Sequence, residues 1–139
     1  MKKVLFDSDV LLDVLAKRQP YFLSSTEALN TVTQGQVEGY ISGHAVTNIF
    51  YILRRQVGSQ LARDLLSRLL EKLKIASVTD AVIKDALQSP MKDFEDAVTS
   101  AVAKSASLEV IITRNIADFA KSSVQAMLPE DFLAMLSLK

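Results

Sequence analysis

The chain has 139 residues, 49% of them apolar and 23% charged, with 4 Gly and 3 Pro. That is one domain's worth of chain, long enough for a sizeable core and outside the disordered, collagen-like and low-complexity classes. The lack of cysteine excludes disulfide scaffolds, thiol nucleophiles, iron-sulfur clusters and thiolate zinc sites, and a single histidine, His44, leaves any metal site to oxygen donors, while 16 basic and 16 acidic side chains cancel.

No apolar run approaches the roughly 18 residues of a membrane span, and the opening turns acidic at Asp7, too early for a signal-peptide core. A cytoplasmic protein without membrane association is expected, with residues 1–139 as a single domain free of repeats or linkers.

Val4-Leu5-Phe6 is a short apolar run between lysines and Asp7, the pattern of a strand buried on both faces of a parallel sheet. Asp7-Ser8-Asp9 offers three N-cap types ahead of a short helix over Val10–Leu15. Pro20 opens a helical stretch to about Gln34, and Gly35 and Gly39 bracket a connection into a strand at Tyr40-Ile41-Ser42. A helix from about Ala45 to Gln56, with Ile49, Phe50, Ile52 and Leu53 at core spacing, ends at Gly58. Residues 59–73 repeat the helical period through Leu61, Leu65, Leu66, Leu69, Leu70 and Leu73. Ile75-Ala76-Ser77-Val78 is a third strand, followed by a helix from about Thr79 to Leu87 and a reset at Pro90.

Asp93-Phe94-Glu95-Asp96 opens the next helix with acids in its first turn, where the macrodipole favours them. Val110-Ile111-Ile112-Thr113, four β-branched residues in a row, is the strongest strand signal, and a polar turn from Arg114 to Phe119 follows it. A strand near Val124–Met127 and a helix from Pro129 complete the chain. This alternation predicts an α/β fold with a central, mainly parallel twisted sheet of about four to five short strands covered by helices on both faces.

Sites in open α/β sheets collect outside the carboxyl ends of the strands. Asp7 follows the first strand, Asn115 and Asp118 follow the Val110–Thr113 strand, and Asp96 stands in the first turn of the helix entering that strand. Carboxylates drawn to one place repel, and a hard divalent cation, Mg²⁺ or Mn²⁺, is the usual compensation; metal-assisted phosphodiester hydrolysis is the chemistry that follows. Each residue also has a plainer reading. Asp7, Ser8 and Asp9 can cap a helix, Asp93 and Asp96 have capping-box-like spacing, Asn115 or Asp118 can cap a turn, and His44 reads as a cap or a surface residue.

Three segments, Val4-Leu5-Phe6-Asp7-Ser8-Asp9-Val10-Leu11-Leu12-Asp13, Asp93-Phe94-Glu95-Asp96-Ala97 and Thr113-Arg114-Asn115-Ile116-Ala117-Asp118-Phe119, resemble in order the acidic motifs of PIN domains. The tail from Ala126 to Leu133 is similar to a PIN-domain ending. The resemblance implies a PIN-like three-layer fold and an Mg²⁺- or Mn²⁺-dependent ribonuclease acting on RNA. It also implies an antitoxin partner of the kind VapC-type toxins have, and a homodimer. Carried over by position, Asp7, Asp96 and Asp118 are the first, third and fourth acids and the metal ligands, while Thr113 and Asn115 match polar residues lining the pocket. The second acid, usually Glu, aligns with Asn48, whose amide offers a carbonyl oxygen but no charge and no base. On its helix Asn48 shares a stripe with Tyr51, Ile52 and Arg55, so it reads equally as a brace between helices.

From Arg54 to Lys74 six basic residues stand against two acids, a flank suited either to solvent or to an RNA backbone. The apolar faces of the helices between residues 45 and 73 are the expected dimer surface. Two alternatives remain at this level. One is a PIN fold that has lost catalysis and serves as a binding or assembly module. The other is a haloacid-dehalogenase-like phosphatase, whose strand followed by D-x-D resembles Phe6-Asp7-Ser8-Asp9-Val10.

Overall fold

The computed structural model describes residues 1–138. Their five strands, β1 (Lys2–Phe6), β2 (Val37–Ser42), β3 (Lys74–Ala76), β4 (Val110–Ile112) and β5 (Gln125–Met127), form one parallel sheet in the order β3-β2-β1-β4-β5. Among the described residues seven helices cover them: α1 (Ser8–Leu15), α2 (Phe22–Thr33), α3 (Gly43–Val57), α4 (Ser59–Lys72), α5 (Asp80–Leu87), α6 (Phe94–Ser105) and, after the last strand, α7 (Pro129–Ser137). A 3-10 turn, Ile116–Phe119, lies between β4 and β5.

Side chains alternate across the pleat. Val4, Phe6, Val110 and Ile112 face a core built with α1, α2, α3, α4 and α7, whereas Leu5 and Ile111 face a second core built with α5 and α6. The sheet is therefore the middle of three layers, and its central strands are apolar where they are covered, at Val4-Leu5-Phe6 and Val110-Ile111-Ile112, because neither face meets water there. The chain winds from β1 outward to β3, then crosses back to β4 and β5; right-handed crossovers put the return helices on the opposite face. The direction reverses between β1 and β4, which leaves a crevice at their carboxyl ends.

Strand β2 starts at Val37, three residues earlier than the glycine pattern indicates, and Gly39 lies inside it. A Cβ at Gly39 would stand 2.6 Å from Val32 Cγ2 and 2.7 Å from Leu73 Cδ2, so this glycine serves close packing rather than a turn. Gly58, at φ +87°, makes the reversal between α3 and α4 as its position indicates. Helix α2 begins at Phe22 rather than Pro20, after a cis Gln19-Pro20 peptide. Helix α1 begins at Ser8, directly after Asp7, and leaves no room for the flap that the phosphatase alternative requires after its first motif.

Candidate active site

The crevice between β1 and β4 is where the acidic segments meet. Asp7 extends the β1 pairing by one residue, its N–H donating to the Ile112 carbonyl at 2.9 Å, and Thr113 does the same for β4, donating to the Met127 carbonyl at 3.0 Å. Asp7 and Thr113 thus stand side by side, and the buried Thr113 hydroxyl donates to Asp7 Oδ2 at 2.8 Å. The other oxygen, Oδ1, accepts from the Ser8 N–H at 2.9 Å, so Asp7 caps α1 and lines the crevice at once.

Asp96 reaches the same place from α6. Its N–H is held by the N-cap Asp93 carboxylate at 2.9 Å, which fixes the first turn and aims the helix N-terminus at the crevice. Asp118 arrives on the 3-10 turn and is exposed.

Electrostatics bind these segments into one group. Burial, then the neighbouring Asp9 carboxylate, pushes Asp7 up to about 7, Asp96 adding to the rise and the Thr113 and Ser8 hydrogen bonds opposing it. Burial likewise raises Asp96 to about 6, with Asp93, Asp118, Glu95 and Asp9 contributing in that order. Burial also raises Asp9, against the pull of the Arg114 and Val10 N–H groups. Four acids from three stretches of chain repel one another across a crevice they share.

Of the residues expected here, Asp7, Asp96, Asp118 and Thr113 are brought together, and Asn115 joins them indirectly by donating Nδ2 to Asp9 Oδ2 at 3.1 Å. Asn48 lies half-buried on α3, one turn beyond His44 on the same helix face. His44 is not a surface residue: burial holds its imidazole below the usual range, Nδ1 meets the Ser42 hydroxyl, and Nε2 lies 3.4 Å from Thr99 Oγ1 on α6. Part of the basic stretch lies away from the crevice. Arg54 sits 11 residues past Gly43, about 16 Å along a helix that leads away from the strand ends. There Arg54 packs over the Tyr51 ring at 4.9 Å and Arg63 over Phe50 at 5.7 Å.

Sequence reasoning gave Asp9 no role beyond a helix cap and the D-x-D of the phosphatase alternative, and gave Asp13 and Arg114 none. Asp9 accepts from the Arg114 N–H at 3.1 Å and tethers the loop after β4; Asp13, fully buried, holds the Arg114 and Arg18 side chains. The signal for Asp13 was present as a lone acid inside Val10-Leu11-Leu12-Asp13-Val14-Leu15, where a core-facing charge calls for a partner.

The donor set is all oxygen, which suits a hard cation. Among the described residues neither Asp7 nor Asp96 has a basic partner, and no three acids or histidines lie close enough together to enclose a bare ion. Carboxylates that repel yet do not close into a cage fit an ion that keeps much of its water shell and takes one or two direct carboxylate bonds, as Mg²⁺ does.

A family model described as PIN domain matches residues 3–117. No curated protein sequence matches the chain. Among solved structures it is similar to VapBC2 from Rickettsia felis, bound to a DNA fragment from the promoter, with 11% identity, a TM-score of 0.73, and 91% of this chain and 98% of that one covered. A toxin-antitoxin complex from Klebsiella pneumoniae has 24% identity and a TM-score of 0.69, with 91% and 97% covered. VapC20 from Mycobacterium tuberculosis, a Sarcin-Ricin loop cleaving toxin, has 14% identity and a TM-score of 0.63, with 78% and 86% covered. At these identities the likeness shows a shared fold.

Proposed function

Because the chain belongs to the PIN domain family, we propose that it is a divalent-metal-dependent ribonuclease that hydrolyses phosphodiester bonds in single-stranded RNA. The observation that carries this reading is the mutual repulsion of Asp7, Asp9, Asp96 and Asp118 in the crevice between β1 and β4. Asp7, Asp96 and Asp118 would hold Mg²⁺ or Mn²⁺. Once bound, such an ion acidifies its water and offsets the charge that develops on phosphate oxygens. The chain's own residues prepare for this. Thr113 orients the Asp7 carboxylate through its hydroxyl, Asn115 ties the loop to Asp9, and the α6 N-terminus directs N–H dipoles toward incoming phosphate. Asn48, half-buried on α3 one turn beyond His44, would add a neutral oxygen donor.

Cleavage of a single-stranded RNA should depend on added Mn²⁺ or Mg²⁺ and stop with EDTA. Asp96→Asn should lose it without lowering the melting temperature, since its ionised carboxyl opposes folding and the N-cap bond to its N–H remains. Cleavage that persists in EDTA or in that variant would sink the proposal.

The similar structures that are toxin-antitoxin complexes favour a more particular reading, in which this chain is the toxin half of such a pair acting in the cytoplasm. No helix among the described residues is long and apolar enough to cross a membrane. The α3–α4 hairpin leaves Tyr51, Val57 and Leu61 exposed while Ile49, Leu53, Leu66 and Leu69 are used by the core, and we assign that exposed side to a homodimer. Light scattering showing only monomer at micromolar concentration would remove the dimer.

A further inference from the structure

Arg114 is gripped at both ends by one face of α1. Its N–H donates to Asp9 Oδ2 at 3.1 Å, and its guanidinium forks onto Asp13, with Nε 2.8 Å from Oδ2 and Nη2 3.2 Å from Oδ1. Asp9 and Asp13 are four residues apart, so α1 presents them in one column. The guanidinium carbon lies 3.8 Å from the centre of the Tyr21 ring, just ahead of α2, which closes its open face. Arg18 Nε and the Ser25 hydroxyl, each at 3.1 Å, use the remaining capacity of the Asp13 carboxylate.

One fully buried carboxylate with two arginines is more than charge balance needs, and buried pairs add little net stability. What distinguishes the second arginine is where it sits. Thr113 and Asn115 flank it, and these are the residues that contact Asp7 and Asp9. The Asn115 N–H returns to Thr113 Oγ1 at 3.1 Å, and the Asp118 N–H donates to the Asn115 carbonyl at 3.0 Å, so the loop from 113 to 118 is a chain of short-range bonds tied outward by the side chains of Thr113, Arg114 and Asn115, of which Arg114 alone forks onto a fully buried carboxylate.

We propose that Arg114 and Asp13 are positioning residues for the acidic centre, the fork between them setting the register of residues 113–118 against Asp7 and Asp9 and so the place of Asp118. The consequence for a metal rests on the function proposed above; the positioning is a property of the metal-free chain. A lysine cannot replace this arginine, because one ammonium cannot span both carboxylate oxygens while lying flat on Tyr21.

The test compares Arg114→Lys with Arg18→Lys, which disturbs the same Asp13 carboxylate from outside the loop. Amide hydrogen exchange is followed in EDTA, Mn²⁺ binding by calorimetry, and RNA cleavage as kcat and KM. Arg114→Lys should lower protection of the Asn115 and Asp118 amides about tenfold or more while the Asp7 and Thr113 amides keep theirs. It should weaken Mn²⁺ binding by about tenfold, the usual effect of losing a residue that orients ligands, and lower kcat with KM nearly unchanged. Arg18→Lys should shift the melting temperature and leave the other readouts in place. Unchanged loop protection in Arg114→Lys, or equal loosening in both variants, overturns the proposal. If the wild type binds no Mn²⁺, the metal reading falls, and the exchange data alone decide the positioning. Should Arg114→Lys not fold, Tyr21→Leu removes only the stacking and should loosen the same two amides to a smaller degree; no loosening there also overturns it.

Discussion

Replacing Asp7 by Asn should make the metal-free protein more stable. Asp7 moves from 3.8 in the unfolded chain to about 7 in the folded one, so above pH 7 holding it ionised opposes folding by about 4 kcal/mol. The amide abolishes that term but has one acceptor oxygen where the carboxylate uses two, for Ser8 N–H and for Thr113 Oγ1. Losing or reorienting one such bond costs about 1–2 kcal/mol. The net expectation is a gain of about 2–3 kcal/mol at pH 8 in EDTA, or about 7–10 °C in melting temperature for a chain of this size. The sign with pH follows from linkage. Between pH 4 and 7 the folded wild type keeps a proton on Asp7 that the unfolded chain has released, so its stability falls as pH rises through that window and levels off above it. Asp96, more exposed, adds a weaker slope of the same sign that the variant retains. Urea titrations from pH 4 to 8 would show the variant with the flatter profile. Saturating Mn²⁺ should then close most of that gap, since an ion at 100 times its Kd stabilises the wild type by about 2.7 kcal/mol and the variant less. A variant that melts below wild type at pH 8 in EDTA would mean that the Asp7 hydrogen bonds outweigh its burial and repulsion, and the account of a charged, uncompensated crevice would be wrong.

Two further substitutions probe the packing and the pocket. Gly39→Ala should destabilise by about 1–3 kcal/mol, because the new methyl meets Val32 and Leu73 at 2.6 and 2.7 Å and Phe6 at 3.2 Å; an unchanged urea midpoint would show that those side chains give way freely. Asn48→Glu should tighten Mn²⁺ binding and lower the melting temperature in EDTA by adding a carboxylate to a group that already repels, and an unaltered Mn²⁺ affinity would place Asn48 outside the acidic centre.

How much of this was legible in the sequence depends on the range of the interaction. The strands announced themselves where both faces are buried, as in Val4-Leu5-Phe6 and Val110-Ile111-Ile112, because an unbroken apolar run needs no knowledge of its neighbours. Gly39 misled, since a glycine that admits Val32 and Leu73 looks, in one dimension, like a glycine that turns the chain. The same limit applied at the site. Asp7 and Asp118 could be placed from strand ends and Asp96 from the first turn of the helix that enters β4, and their repulsion follows from the topology once β1 and β4 are known to be neighbours. Arg114 and Asp13 could not, because neither is exceptional locally: an arginine in a polar turn and an acid in a short helix acquire meaning only when a parallel pairing sets residues about a hundred positions apart side by side. The parts of a site that face its ligand must carry its chemistry and so are visible as residue types. The parts that hold them carry only geometry, which appears when the chain has closed on itself.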